Sequence, residues 1–142
     1  MIRKSINNEQ FKEAVKVSFS DDKEIFSLYN PNIKVETVED IVKDISYRVS
    51  NEVNNAVIKG VYEKNELVGY YAYEGHTLIS FALNVKYRTR KYLNNLFSLI
   101  RKDIKGQFQC FLFSKNIRAI KYLNKQGMKI GNQSDLITHL IL

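Results

Sequence analysis

The sequence has one cysteine, Cys110, so no internal disulfide can form. Cys110 stands in the apolar run FQCFLF, where a thiol reads as buried and inert rather than as a nucleophile. Only two histidines are present, His76 and His139, far apart and away from any Cys or Asp/Glu cluster, which argues against a metal site. No apolar run approaches the roughly 20 residues of a membrane span, and the opening MIRKSINNEQF has no apolar core of signal-peptide length. Internal repeats and low-complexity tracts are also missing. These absences lead to the expectation of one domain over residues 1–142, cytoplasmic, with no membrane partner.

What is there is an ordinary globular composition, 44% hydrophobic and 26% charged, in 142 residues, enough to bury a sizeable core. The net charge of +7 suggests an anionic partner, though a Lys-rich solvated surface gives the same number. A nucleic-acid partner is not expected, because no recognition helix or aromatic stacking motif accompanies the charge.

The organising stretch is ISFALNVKYRTRKYLNNLFSL, residues 79–99. Ile79, Phe81, Leu83 and Val85 alternate with Ser80, Ala82 and Asn84, the period of a strand with one face inward. KYRTRK then sets four cations, Lys86, Arg88, Arg90 and Lys91, in six residues. Leu93, Leu96, Phe97 and Ile100 follow on one helical face, and the spacing predicts a helix over residues 92–104. A strand feeding a cationic turn and a helix N-terminus suits a phosphate, through free N–H groups and the helix dipole.

Ahead of that stretch, residues 1–6 read as a short strand. Asn7 or Asn8 caps a helix with Phe11, Ala14, Val15 and Phe19 inward. Residues 21–29 give a further helical turn that Pro31 ends. Thr37 and Asp40 form a capping box for a helix facing the core through Val38, Ile41, Val42, Ile45 and Val49, followed by a polar loop over residues 50–55. AVIKGVYE and LVGYYAY are strands joined at Lys64-Asn65, and Glu74-Gly75-His76 turns the chain into the strand at Ile79. After the 92–104 helix and Gly106, residues 107–114 are a strand apolar on both faces and so central. Residues 116–126 are a helix with Ile117, Ile120 and Leu123 inward, stopped by Gly127. Residues 128–130 and 136–142 close the sheet. The fold class is α/β, a mixed sheet flanked by helices. The strands at Ile79 and Gln107 are expected to be parallel neighbours, with Leu96, Phe97, Phe111 and Ile120 buried together.

This order, with Gly69 in the second strand of the meander and the segment NIRAIKYLNKQGMKI, resembles the GNAT family, the Gcn5-related N-acetyltransferases. Asn116, Ala119, Lys125 and Gly127 match the family's late helix pattern, and Met128 stands where Phe is usual. The resemblance implies acetyl-CoA lying between the two parallel strands. Backbone near Leu83, Asn84 and Val85 would pair with the pantetheine. Arg88, Arg90 and Lys91 would hold the pyrophosphate, and Asn116 would be a polar contact on the cofactor side. It implies transfer of acetyl to an amine acceptor.

The sequence departs from the family pattern at three points. Lys91 and Leu93 occupy the two glycine positions of the pyrophosphate loop. The family's thiolate-protonating tyrosine falls on Leu123, leaving the neighbouring Tyr122, turned ~100° around the helix, as the candidate general acid. No carboxylate stands on the strand at residues 79–84 to activate an amine. Tyr71 and Tyr73 share a strand face that could line an acceptor groove, and Glu74 is a candidate base at a turn. Two readings follow. One is an acyltransferase with a cation-rich cofactor site. The alternative is a GNAT-fold protein without catalysis, a binding or structural module with a protein partner in a larger assembly.

Overall fold

The computed structural model describes residues 1–29, 34–52 and 55–142. Its strands are β1 (Ile2–Ser5), β2 (Val57–Glu63), β3 (Glu66–Glu74), β4 (Thr77–Leu83), β5 (Gln109–Phe113), β6 (Lys129–Gln133) and β7 (Ile137–Ile141). Its helices are α1 (Asn8–Phe19), α2 (Ile25–Leu28), α3 (Val38–Tyr47), α4 (Arg90–Asp103) and α5 (Ile117–Lys125). One mixed sheet holds the strands in the order β1-β2-β3-β4-β5-β7-β6. Among the described residues only β4 and β5 pair in parallel, joined through α4 as a strand–helix–strand unit requires. Among the described residues no helix is long and apolar enough to cross a membrane.

Local chemistry sets the element ends. The Asn7 side-chain Oδ1 accepts from Gln10 N–H and the Gln10 side chain accepts from Asn7 N–H, a reciprocal cap for α1. Thr37 and Asp40 do the same for α3. Lys64 and Asn65 both take positive φ, 50° and 67°, which fits a two-residue hairpin to the strand twist. Asn116 caps α5, and Gly127, at φ 103°, ends it.

The core divides between the two sheet faces. Phe11, Ala14 and Val15 of α1, with Ile41 and Ile45 of α3, bury one face over Tyr70, Ala72 and Ala82. Leu96, Phe97 and Ile100 of α4, with Ile120 and Leu123 of α5, bury the other over Tyr71, Leu78, Leu83, Cys110 and Leu140. Burial pushes the Cys110 thiol up to about 12, so it stays protonated. Arg3 of β1 donates to both oxygens of Asp103 at 3.0 and 2.9 Å, and the Tyr71 hydroxyl also donates to Asp103, tying the sheet edge to the end of α4.

Several expectations need correction. Ile79 does not share a face with Phe81 and Leu83: it packs against the α1/α3 cluster, while they face α4 and α5. The cause is a β-bulge. Ala72 faces Ser80 and Tyr73 faces Leu78, leaving Ile79 as an extra residue that resets the alternation. Phe111 is not buried with Leu96, Phe97 and Ile120. It is 50% exposed and stacks on His139 with ring centroids 4.5 Å apart, because α1 and α3 cover the sheet only as far as β4. Ile117, in the first turn of α5, is 58% exposed. The expected loop over residues 50–55 begins as a π-helical turn, Arg48–Glu52, running on from α3. Pro31, Val53 and Asn54 lie outside the described residues.

Two measurements check this packing. A Cβ at Gly69 would stand 2.3 Å from the Ala82 carbonyl oxygen and 3.0 Å from Leu83 Cα, both backbone of the neighbouring strand. Gly69→Ala should therefore cost about 1–3 kcal/mol in denaturant unfolding. Leu96→Ala should lose about 2–5 kcal/mol, whereas Phe111→Ala should lose under about 1 kcal/mol.

Candidate functional site

β4 and β5 part company almost at once. They pair only through Thr77–Gln109 and Leu78–Cys110. The ladder stops where Ile79 bulges, and a bulge bends and twists the strand that carries it. β4 stays paired to β3 up to Leu83, and β5 stays paired to β7 along its whole length, so the sheet opens as two halves from one end. Asn84 N–H donates to Val68 O on the β3 side. By alternation, the N–H and C=O groups of Phe81 and Leu83 point into the opening. A cavity of about 450 Å³ fills it. Leu83, Leu93, Leu96 and Tyr122 line it from the α4/α5 face, and Phe19, Ile25, Ile45 and Tyr70 from the α1/α3 face. The cavity thus communicates through the sheet.

The charged residues of its wall are Arg48, Arg88 and Arg118, and no carboxylate lines it among the described residues. Arg88 and Arg118 meet on Asp22, which is 4% exposed. Arg88 Nη1 donates to Asp22 Oδ2 at 2.8 Å, and Arg118 donates to both Asp22 oxygens at 2.9 and 2.6 Å. Burial disfavours the Asp22 charge, but the hydrogen bonds from Arg118 and Arg88 outweigh it and hold the carboxyl below 3.8. Arg88 also donates through Nε to Leu83 O at 2.7 Å and through Nη2 to Ser18 O at 3.1 Å. The guanidinium is thereby committed to joining the α1–α2 connection with the end of β4.

Beside Arg88 begins α4. Its N-cap, Thr89, makes no side-chain cap, and the first backbone bond into Thr89 O comes from Leu93 N–H. The N–H groups of Arg90, Lys91 and Tyr92 are left without helical acceptors. Arg90 and Lys91 are exposed at the positive end of the helix, with no acidic residue in that turn, an arrangement a bound anion relieves. Lys91 Nζ lies 5.5 Å from the Tyr92 ring centre.

The other expected site residues take varied places. Asn84 donates to Val17 O at 2.8 Å and accepts from Lys86 N–H, fixing the turn that follows β4, and Val85 opens that turn, Val85–Tyr87. Asn116 lines the cavity and also caps its own helix, accepting from Ala119 N–H at 3.3 Å. Tyr122 lines the cavity against Phe81 and Phe97, and its hydroxyl donates to Leu93 O at 2.8 Å. Burial pushes the Tyr122 hydroxyl up, so it keeps its proton at neutral pH. Tyr71 and Tyr73 lie stacked on the α4 side, away from the cavity wall. Tyr70 lines the cavity instead, its hydroxyl 2.8 Å from Ser80 Oγ. Glu74 accepts from Asn55 N–H at 2.7 Å and closes a loop.

Asp22, Arg118, Arg48, Tyr29 and Ser80 did not stand out in the sequence. Asp22 meets its partners 66 and 96 residues away, so no local pattern announces it. Arg48 and Tyr29 sit at element ends, where periodicity carries no signal.

No protein-family model matches the sequence, and no curated protein does. Solved structures do match in fold. A GNAT-family acetyltransferase from Streptococcus agalactiae superposes with a TM-score of 0.70 at 16% identity, over 99% of this chain and 93% of that one. An acetyltransferase from Thermus thermophilus gives 0.69 at 14%, over 100% and 97%. The PaiA N-acetyltransferase of Thermoplasma acidophilum, in complex with coenzyme A, gives 0.64 at 12%, over 99% and 96%. The chain has the GNAT acetyltransferase fold.

Asp22→Asn should remove the charge that two arginines share and lower stability by about 2–4 kcal/mol at pH 7. The carboxyl titrates below 3.8 when folded, so its contribution is full above that value and fades as pH falls through the folded pKa. Unfolding curves of the native chain and the variant should accordingly converge in acid and diverge toward neutrality.

Proposed function

We propose that this protein is an N-acetyltransferase that takes acetyl from acetyl-CoA and passes it to an amine through the opening between β4 and β5. The observation that supports this most is the continuity of the cavity through the sheet. A donor arm on the α4/α5 side and an acceptor on the α1/α3 side could meet there without either crossing the core. The groups present fit a coenzyme A donor: a strand edge at Phe81 and Leu83 that pairs with no other strand, its Leu83 O alone taken by Arg88, and the free N–H groups of Arg90, Lys91 and Tyr92 beside two exposed cations. When bound, the cofactor supplies the acetyl thioester. The reaction joins the amine nitrogen to the acetyl carbonyl carbon, breaks the C–S bond and leaves the amine proton for the departing thiolate. Tyr122 keeps a proton at its hydroxyl within the cavity wall. The guanidinium N–H groups of Arg48, Arg88 and Arg118 disfavour an ammonium ion in their midst, which helps present the acceptor as a neutral amine where, among the described residues, no carboxylate lines the cavity.

A second reading, a GNAT-fold module without catalysis that serves a protein partner, is favoured by one specific contact. Arg88 Nε occupies Leu83 O, one of the groups a pantetheine arm would use. Lys91 and Leu93 add side chains where the family has glycine.

Calorimetry and thermal shift with acetyl-CoA decide between them. On the acetyltransferase reading, ligand at ~100 times its dissociation constant adds roughly 2.7 kcal/mol to stability and raises the melting temperature. Lys91→Ala should weaken that binding, more at low salt than at high salt. A native chain that binds neither acetyl-CoA nor CoA at millimolar ligand would leave the non-catalytic reading.

A further inference from the structure

We propose that the acceptor is a primary amine carried on an apolar, aromatic body, and that this body lies at the α1/α3 end of the cavity. The inference rests on the acetyltransferase reading for the amine, whereas the apolar end is a property of the wall itself.

The wall at this end is mostly hydrocarbon. Phe19 of α1, Ile25 and Leu28 of α2, Ile45 of α3, Ile79 of β4 and Phe111 of β5 line it. Such a wall favours a body that, like itself, gives up water without losing hydrogen bonds. Phe111 adds an aromatic surface. Its ring is 50% exposed and stacks on His139, and the α1/α3 cover stops short of it. A flat aromatic body laid against the uncovered part of that ring gains an aromatic contact as well as burial.

The polar groups of this end decide the class. The Tyr70 and Ser80 hydroxyls, 2.8 Å apart, are bonded to each other. The Tyr29 hydroxyl is closed off from the space and lies against the Asp44 carboxylate. Asp44 also takes Nε and Nη2 of Arg48. Asp22 is enclosed by Arg88 and Arg118. The carboxylates thus stand behind the arginines, and among the described residues none lines the cavity. Side-chain acceptors are therefore scarce. A polyamine would bring further ammonium groups, and an amino sugar several hydroxyls. Each would leave water for a wall with little to accept its hydrogen bonds. The arginines add repulsion against a second ammonium. An apolar body brings no such groups. Its one polar end is the amine, which stays at the opening beside the β4 edge at Phe81.

The test separates the apolar site from the transfer chemistry by omitting acetyl-CoA. Calorimetry on the native chain compares indole, an uncharged aromatic body, with spermidine and glucosamine. Indole should bind at least about tenfold more tightly than either. Phe111→Ala removes the exposed ring and should weaken indole about fivefold. Leu28→Lys sets an ammonium on the half-buried wall of α2 and should abolish indole binding, with the melting curve showing that the variant folds. Spermidine or glucosamine bound as tightly as indole overturns the proposal, as does an indole affinity unchanged in both variants. In a second arm with acetyl-CoA, phenethylamine should be acetylated with a KM well below that of spermidine, and the reverse order overturns the acceptor class. A chain that binds indole but neither acetyl-CoA nor CoA would instead sink the transfer reading, and the acceptor with it, while the apolar site stands.

Discussion

The opening of the sheet rests on a single inserted residue. Ile79 is one more residue than the β3 ladder can accommodate, and the parallel pairing of β4 with β5 ends immediately before it. From that point β4 follows β3 and β5 follows β7. Two well-paired half-sheets therefore enclose a space that neither could make alone. The bulge has a second effect. It turns Ile79 to the α1/α3 face and leaves Phe81 and Leu83 on the α4/α5 face, so the cavity receives apolar wall from both sides at the same level. An uninterrupted strand would have kept the hydrogen bonds and closed the gap.

A gap in a sheet needs something to hold its mouth, and here that is a carboxylate shared by two guanidiniums. Asp22 follows α1, Arg88 follows β4, and Arg118 opens α5. Three elements from both faces of the sheet are thus joined by hydrogen bonds of 2.6–2.9 Å. Planar guanidinium forks suit this bidentate sharing in a way that a lysine ammonium does not. The same commitment removes Arg88 from the loose cationic turn to which its position in KYRTRK assigned it. The turn keeps Arg90 and Lys91, which are exposed.

The fold was largely legible from hydrophobic period and turn chemistry. The capping residues Asn7, Thr37 and Asn116, the Lys64-Asn65 hairpin and the parallel β4–β5 crossover all follow from local pattern. What could not be read was any feature in which the pattern stays apolar while the geometry changes. The ISFALN run looks the same with or without a bulge, because Ile79 is apolar whichever face it meets. Phe111 belongs to a strand apolar on both faces, and the sequence does not say that the helices on one face stop at β4. The Asp22 clasp was hidden for another reason. It joins residues brought together only by the tertiary fold, from segments whose local roles are helix ends and connections.

Charge gives the last link between composition and chemistry. The net +7 pointed toward an anion without saying where. Much of the arginine charge is spent inside the molecule, with Arg3 on Asp103, Arg48 on Asp44, and Arg88 and Arg118 on Asp22. Each pair nonetheless leaves its own imprint. At Asp22 one carboxylate faces two guanidiniums, and Glu24 lies 3.5 Å from Arg118, so the charges at the mouth of the cavity balance. At Asp44 the carboxylate takes Nε and Nη2 of Arg48, whose side chain lines the cavity. Among the described residues the charged side chains on the cavity wall are arginines, and although carboxylates behind them balance their charge, the guanidinium N–H groups facing the space disfavour an ammonium ion and favour anions at short range, where water is scarce and the effective dielectric is low. In acyl transfer both tendencies act in the same direction. The nucleophile must arrive as a neutral amine, and the leaving group departs as a thiolate. Guanidinium N–H groups facing the space lower the cost of each, so the arginine wall can take over part of the work that a carboxylate base performs elsewhere.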